Sequence, residues 1–176
     1  GRVLTGETAK PGDAVLGLTS SGLHANGFSL VRRVVEDLRL DYAAPAPFDA
    51  ERDLGRALLD PTRIYVQPCL AAAATGGVRG FAHITGGGLV ENVPRVLPDG
   101  LGVRLDTSTW RSPPIFPLLQ EMGNVSRDEM YRVFNMGLGM VLVCDPDMSG
   151  RVMSLTPEAR VVGEVAPATD EERVIL

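Results

Sequence analysis

Ala14-Val15-Leu16-Gly17-Leu18, running into Thr19-Ser20-Ser21-Gly22-Leu23-His24-Ala25-Asn26-Gly27, is the stretch whose reading decides the fold. The apolar run reads as a buried strand. The uncharged polar run is a loop that hands over to a helix near Asn26 or Gly27, because Leu30, Val31, Val34, Val35 and Leu38 then fall on one helical face. A second stretch repeats the plan. Val78 to Ile84 reads as a strand, and it feeds His83-Ile84-Thr85-Gly86-Gly87-Gly88-Leu89-Val90-Glu91-Asn92; Leu89 to Val93 is a helical turn or two cut by Pro94. The two runs hold both histidines of the chain. Glycine lets backbone N–H groups approach a ligand, and a helix start turns those groups toward an anion. The pair suggests a phosphate-bearing small molecule with imidazole and amide groups beside it.

Outward from these stretches, strands and helices alternate. Tyr42 to Phe48 is a loop, Arg52 to Asp60 a short helix stopped by Pro61, and Ile64-Tyr65-Val66 is extended. Pro68 opens a helix through Ala74, with Gly76-Gly77 as its left-handed stop. Gly102 to Asp106 is a strand. Pro113-Pro114 precedes a helix from Ile115 to Met122, closed by Gly123. Ser126-Arg127-Asp128-Glu129 is a capping box, and its helix runs to about Phe134. Gly139 to Cys144 is a core strand, a short helix lies between Pro146 and Pro157, and Val161 to Val165 and Arg173 to Leu176 are two further strands. The pattern predicts an α+β chain, a mixed α/β sandwich with helices against one sheet. Residues 1–176 form a single domain without internal repeat or low-complexity linker.

Bulk properties narrow the function. At 176 residues the chain can bury a core without staples. A net charge of −5 argues against a nucleic-acid partner. The adjacent basic pair Arg32-Arg33 lies in a helix pattern and reads as a solvated face. No apolar run is long enough for a membrane span and no signal peptide is visible, so the expected location is cytoplasmic. Cys69 and Cys144 sit in apolar runs and read as buried free thiols, although a disulfide is not excluded by the sequence. No metal-ligand spacing is present, and no metal site is expected. The chain begins at Gly1 rather than methionine, as a fragment would.

Two familiar nucleotide motifs fail. Lys10 is the only lysine, so no P-loop exists, and Glu91 stands where a dinucleotide fingerprint needs its third glycine. Gly86-Gly87-Gly88 is then either a tight strand-to-helix turn or an anion cradle, and three successive glycines cost more entropy than a turn alone requires. His24, crowded by Ser20, Ser21 and Asn26, is either a surface histidine or an acid/base beside a bound amide. His83 is either a second ligand contact or a core histidine satisfied by backbone. Asn135, in Phe134-Asn135-Met136-Gly137-Leu138-Gly139, is a helix C-cap or an amide turned to a ligand. Asp13 and Glu91 cap turns or orient neighbours. A Ser/His hydrolase is disfavoured, since Gly-x-Ser-x-Gly is absent and serine and histidine share one loop.

Several of these blocks together resemble a known family. Gly12 to Arg32, Pro61-Thr62-Arg63-Ile64-Tyr65-Val66, His83 to Asn92, Phe134 to Val141 and Val162-Gly163-Glu164-Val165 are similar to the C-terminal half of aminoimidazole ribonucleotide synthetase, also called phosphoribosylformylglycinamidine cyclo-ligase. Departures are Ala25, where the family often has serine, and the stretch from Ser149 to Pro157. The resemblance implies a three-layer α/β/α fold with partial ferredoxin-like topology. It implies ATP-dependent closure of the imidazole ring of purine biosynthesis, in which ATP activates the formyl oxygen of formylglycinamidine ribonucleotide and an internal nitrogen displaces phosphate. ATP and Mg2+ would bind mainly through an N-terminal domain, which is a partner domain outside this chain and which would carry the homodimer interface.

On that reading the catalytic candidates are His24 and His83. The substrate-binding candidates are Ser20, Ser21, Gly22, Asn26, Thr85, Gly86, Gly87, Gly88 and Asn135. Alternatives are a related ATP-dependent enzyme, such as formylglycinamidine ribonucleotide synthetase or selenophosphate synthetase, or a non-catalytic ligand-binding module.

Overall fold

A six-stranded sheet carries two helical layers in the computed structural model, which describes residues 3–169 and 172–176. Its strands are β1 (Ala14–Thr19), β4 (Val78–His83), β5 (Leu101–Leu105), β6 (Leu138–Cys144), β7 (Ala159–Pro167) and β8 (Val174–Ile175). A separate hairpin pairs β2 (Pro45–Ala46) with β3 (Asp49–Asp53). The helices are α1 (Phe28–Asp37), α2 (Leu54–Leu58), α3 (Val66–Ala74), α4 (Gly88–Asn92), α5 (Ile115–Met122), α6 (Arg127–Val133) and α7 (Ser149–Leu155).

The sheet order is β4-β6-β1-β7-β5-β8, antiparallel throughout except for the parallel β5–β8 pair. Four adjacent strands, β4-β6-β1-β7, form a ferredoxin-like core. β6 lies between β1 and β4, and the crossovers that end in α3 and α7 place those two helices side by side. The resemblance is partial because α4, β5, α5 and α6 intervene between β4 and β6, and β5 and β8 lengthen the sheet.

Side-chain alternation along the central strands feeds two cores. Val15, Val141, Val143 and Val162 face one layer, where α1, α2, α4, α5 and α6 contribute Val31, Leu54, Leu89, Phe116 and Met130, and Phe134 follows directly after α6. Leu16, Leu18, Leu142 and Cys144 face the other, against Ala72 of α3 and Val152 of α7. Because both faces are covered, these strands read as continuous apolar runs rather than as an alternating pattern. Phe116 and Phe134 are fully buried with ring centroids 5.7 Å apart, and truncating either to alanine would cost about 3–5 kcal/mol.

Several segments differ from the sequence expectation. Ile64 and Tyr65 form no strand, and Val66 already belongs to α3. Pro68 is the third helical residue, where an N–H has no intrahelical partner, so the helix begins before it. Arg52 lies in β3, and the expected Arg52–Asp60 helix shrinks to Leu54–Leu58 because the Asp53 carboxylate caps it by accepting from the Arg56 N–H at 2.8 Å. Pro94 does not end the chain's coiling; it occupies the start of a 3-10 turn, Val93–Val96, that continues from α4. Tyr42 to Phe48, expected as a loop, contains β2, which pairs with β3 in a hairpin that the sequence pattern did not announce. The starts of α5 and α6 agree. α5 occupies Ile115–Met122, and the Ser126 hydroxyl accepts from the Glu129 N–H at 3.3 Å at the start of α6. Cys144 is buried and Cys69 half-buried, and both thiols are free.

One end of the sheet is pinned by charge. Asp13, fully buried, accepts from the Lys10 N–H at 3.0 Å and from Arg79 Nε at 2.7 Å. Arg79 also donates to Asp145 at 3.0 Å, so one guanidinium ties the start of β1, the start of β4 and the end of β6. Asp13 thereby has the turn-capping and orienting part expected of it.

Candidate functional site

The opposite end of the same three strands gathers both glycine-rich runs. β1 and β4 are each antiparallel to β6 and therefore run in the same direction, so the loops leaving them emerge together. The segment 134–137 enters β6 at that same end. Topology thus brings together residues far apart in sequence. A Cβ built on Gly86 would lie 4.0 Å from the Asn26 side-chain oxygen, which puts the second run against the first.

The first loop is held from behind. Asn135, 1% exposed, donates to the Gly22 and Leu23 carbonyls at 2.8 and 3.2 Å and accepts from the Gly137 N–H at 2.9 Å. Its amide is engaged with backbone and holds the loop in place. Ser21 donates its hydroxyl to the Pro61 carbonyl at 2.7 Å, and the Ser20 N–H donates to the Gly137 carbonyl at 2.9 Å. The Ser20 hydroxyl, in contrast, is buried and has no partner among the described residues.

His24 lies inside this loop with φ of 60°, in the left-handed region, and is 5% exposed. Its Nε2 accepts from the Ser21 N–H at 3.1 Å, while Nδ1 is buried without a partner among the described residues. Burial, followed by the charges of His83 and Arg63, pushes its pKa down to about 4, so the ring is neutral at pH 7. Tyr65 stands between the two histidines: its ring centroid is 6.1 Å from that of His24 and 6.0 Å from that of His83. The Tyr65 hydroxyl donates to the Thr19 carbonyl at 2.8 Å, and burial pushes its pKa up to about 12. Gly139 makes this cluster sterically possible, since any Cβ there would meet the Tyr65 hydroxyl and the His24 ring.

His83 ends β4 with an exposed side chain, so the core-histidine alternative is set aside. It borders a cavity of about 400 Å³ whose wall includes Arg63, Tyr65, Cys69, Phe81 and Met140. Arg63 donates to the Thr19 hydroxyl at 3.1 Å and pairs with Glu158. Burial pushes the Cys69 thiol up, away from the thiolate form.

The second run is organised by Asn92. This buried amide donates to the carbonyls of Thr85, Gly86 and Gly88 at 3.3, 3.1 and 2.8 Å, and the Thr85 hydroxyl donates to its oxygen at 3.3 Å. The C=O and N–H of one peptide plane point in opposite directions. Drawing the Thr85 and Gly86 carbonyls inward therefore turns the Gly86 and Gly87 N–H groups outward. Gly87, with φ of 95°, is the N-cap of α4. The bareness of Gly88 serves packing, because a Cβ there would strike the carbonyls of Tyr131 and Phe134 beside α6. Glu91 lies against Gly87, and its carboxylate is 3.9 Å from Arg95.

Asn92, Tyr65, Arg63 and Gly139 are site residues that the sequence reading missed as such. Asn92 had a readable signal, a polar residue at the buried end of an otherwise apolar turn. Tyr65 and Gly139 had none, since the docking of α3 on the sheet brings one to the histidines and strand pairing brings the other. Among the described residues, no three His, Cys, Asp or Glu side chains group as a cation cage. Nor is any helix among the described residues long and apolar enough to cross a membrane.

Comparison with known proteins gives this geometry a family context. Residues 10–175 match the model for "AIR synthase related protein, C-terminal domain". The chain is 51% identical over 170 residues to phosphoribosylformylglycinamidine cyclo-ligase of Bacillus licheniformis, covering 93% of this chain and 48% of that protein. It is 48% identical over 158 residues to the protein of that name from Chromobacterium violaceum, covering 90% and 45%. The chain thus spans about half the length of the curated relatives it matches. Among solved structures, a HypE–HypF complex matches with TM-score 0.61 at 16% identity over 93% of this chain and 49% of that one. Thiamine-monophosphate kinase from Stenotrophomonas maltophilia matches with TM-score 0.61 at 15% identity over 99% and 53%. At such identities these two report shared fold alone.

Proposed function

The chain belongs to the AIR synthase related family, as its C-terminal domain, and from that premise we propose that it works as the corresponding half of a phosphoribosylformylglycinamidine cyclo-ligase. The activity is ATP-dependent closure of formylglycinamidine ribonucleotide to aminoimidazole ribonucleotide. The observation that carries this reading is the meeting of the two loops, with Asn26 beside Gly86 and unpartnered polar groups on Ser20 and His24. A ligand would satisfy those groups, and a buried polar atom left unsatisfied costs about 1–3 kcal/mol.

In this proposal the Gly86 and Gly87 N–H groups, with Thr85 beside them, take the 5′-phosphate. Ser20, Ser21, Gly22, Asn26 and His24 line the reacting amide and amidine, with His83 at the rim. Gly88 and Asn135 support those contacts through the backbone. Both reacting groups belong to one molecule, so fixing their geometry supplies much of the rate. ATP and Mg2+ are assigned to an N-terminal partner domain, as are homodimer contacts. A cytoplasmic setting follows from the proposed pathway.

Calorimetric titration of this chain with formylglycinamidine ribonucleotide and, separately, with ATP tests the reading. Saturable ribonucleotide binding without ATP hydrolysis is expected; robust ATP hydrolysis by this chain alone would contradict it. In an enzyme containing both halves, His24→Ala should lower turnover at least tenfold.

A further inference from the structure

Resting on that reading, we infer that His24 is not a proton carrier but a fixed hydrogen-bond donor, presenting Nδ1–H to an acceptor oxygen of the bound ligand. Neutral imidazole has one N–H and one bare nitrogen. The Ser21 N–H already donates to Nε2 at 3.1 Å, so Nε2 is the bare nitrogen and the ring proton resides on Nδ1. That Nδ1 is buried and unpartnered among the described residues, in a side chain only 5% exposed. A donor so placed can be satisfied by a carbonyl, amide or phosphoryl oxygen, and it repels an ammonium or amidinium.

Proton transfer is disfavoured by the same surroundings. Taking up a proton on Nε2 would expel the Ser21 N–H, which cannot face another donor. The titratable and charged groups near the ring are His83, closing β4, Arg63 and Tyr65, preceding α3, and Glu158, paired with Arg63; His83 and Arg63 both oppose an imidazolium at His24. Tyr65 is itself committed to the Thr19 carbonyl at 2.8 Å and offers His24 no proton route. Tyr65 and Gly139 position the ring: one packs beside it and the other leaves the space it occupies.

Long-range proton–nitrogen correlation spectra of the 176-residue chain, assigned with the His24→Asn and His83→Asn variants, read the tautomer directly. The expected result at pH 7 is a neutral His24 ring protonated at Nδ1, with that proton moving downfield when formylglycinamidine ribonucleotide is added. An Nε2-protonated or doubly protonated ring would overturn the inference. Inorganic phosphate added alone should not move the Nδ1 proton; if it does, the acceptor is the phosphate rather than the amide end.

Affinity provides the second arm. Asparagine places an N–H near the Nδ1 position and tolerates a left-handed φ, so H24N should bind the ribonucleotide within about threefold of the unmodified chain. H24Q, which places its amide near Nε2, should lose at least tenfold, with thermal unfolding of both variants separating lost loop structure from a lost donor. Equal losses in two folded variants would overturn the inference. Absence of ribonucleotide binding by the unmodified chain would count against the cyclo-ligase reading, while the tautomer would still decide whether His24 is locked as a donor.

Discussion

The two ends of β1, β4 and β6 differ in how their polar groups are satisfied. At one end Asp13, Arg79 and Asp145 satisfy one another, and the buried Asp13 carboxylate faces a guanidinium. At the other, Ser20 and His24 each keep a buried polar atom without a partner among the described residues. The strands are the same, so the difference is not one of fold. It separates a region whose polar groups serve stability from one whose polar groups are held ready for something else. Buried unsatisfied groups are few in native proteins and concentrate where function demands them.

This contrast can be broken most forcefully at the closed end. Asp13→Ala leaves the Arg79 guanidinium without its buried partner and should cost about 3–5 kcal/mol in denaturant unfolding, with ligand affinity of the folded fraction unchanged. Acid comes next, at the open end. The folded pKa of His24 lies near 4, below the unfolded value of 6.5, so the unfolded chain binds the proton first. This contribution to stability is intact above pH 6.5 and is lost as pH falls from 6.5 toward 4, to a total of roughly 3 kcal/mol. Unfolding free energies of the unmodified chain and of His24→Asn, measured across that interval, should diverge by this amount; parallel curves would refute it.

Asn135→Ala tests how the open end is supported. It strands the Gly22 and Leu23 carbonyls and should cost about 1–3 kcal/mol while weakening ligand binding, because the loop is no longer held. The smallest stability effect belongs to Ser20→Ala. Removing a hydroxyl that has no partner should change stability by less than about 0.5 kcal/mol, or raise it, yet reduce ribonucleotide affinity severalfold in calorimetry. Equal losses of stability from Ser20→Ala and Asn135→Ala would erase the distinction between held and holding groups.

Much of the fold was legible because local signals agreed with the tertiary outcome. Pro113-Pro114 and Gly123 bracket α5, Ser126 starts α6, and the apolar run of β6 admits little but a doubly covered strand. Legibility failed where a single residue outweighed the pattern. Asp53 moved a helix start, and Pro68 suited a third helical position as well as a first. At the site, the two loops and their histidines stood out by composition. The division of labour within them did not. That Gly88 is bare for the sake of α6, while Gly86 and Gly87 turn N–H groups outward, depends on which carbonyls Asn92 reaches, and that is a three-dimensional fact. Tyr65 is 41 positions from His24 along the chain and meets it because the start of α3 packs on the sheet, where the Tyr65 hydroxyl donates to the Thr19 carbonyl at the end of β1.

β6 also acts as a ruler. The last residues of β1 and β4, Thr19 and His83, pair with Leu138 and Met140 on its two edges. The stems of the loops are therefore two ladder spacings apart across the sheet, about 9–10 Å, and are offset along β6 by the step from Leu138 to Met140. The loops close that gap themselves, since a Cβ on Gly86 would lie 4.0 Å from the Asn26 side-chain oxygen. The strand fixes how far apart the stems stand, and the glycine-rich runs fold inward over its head to meet.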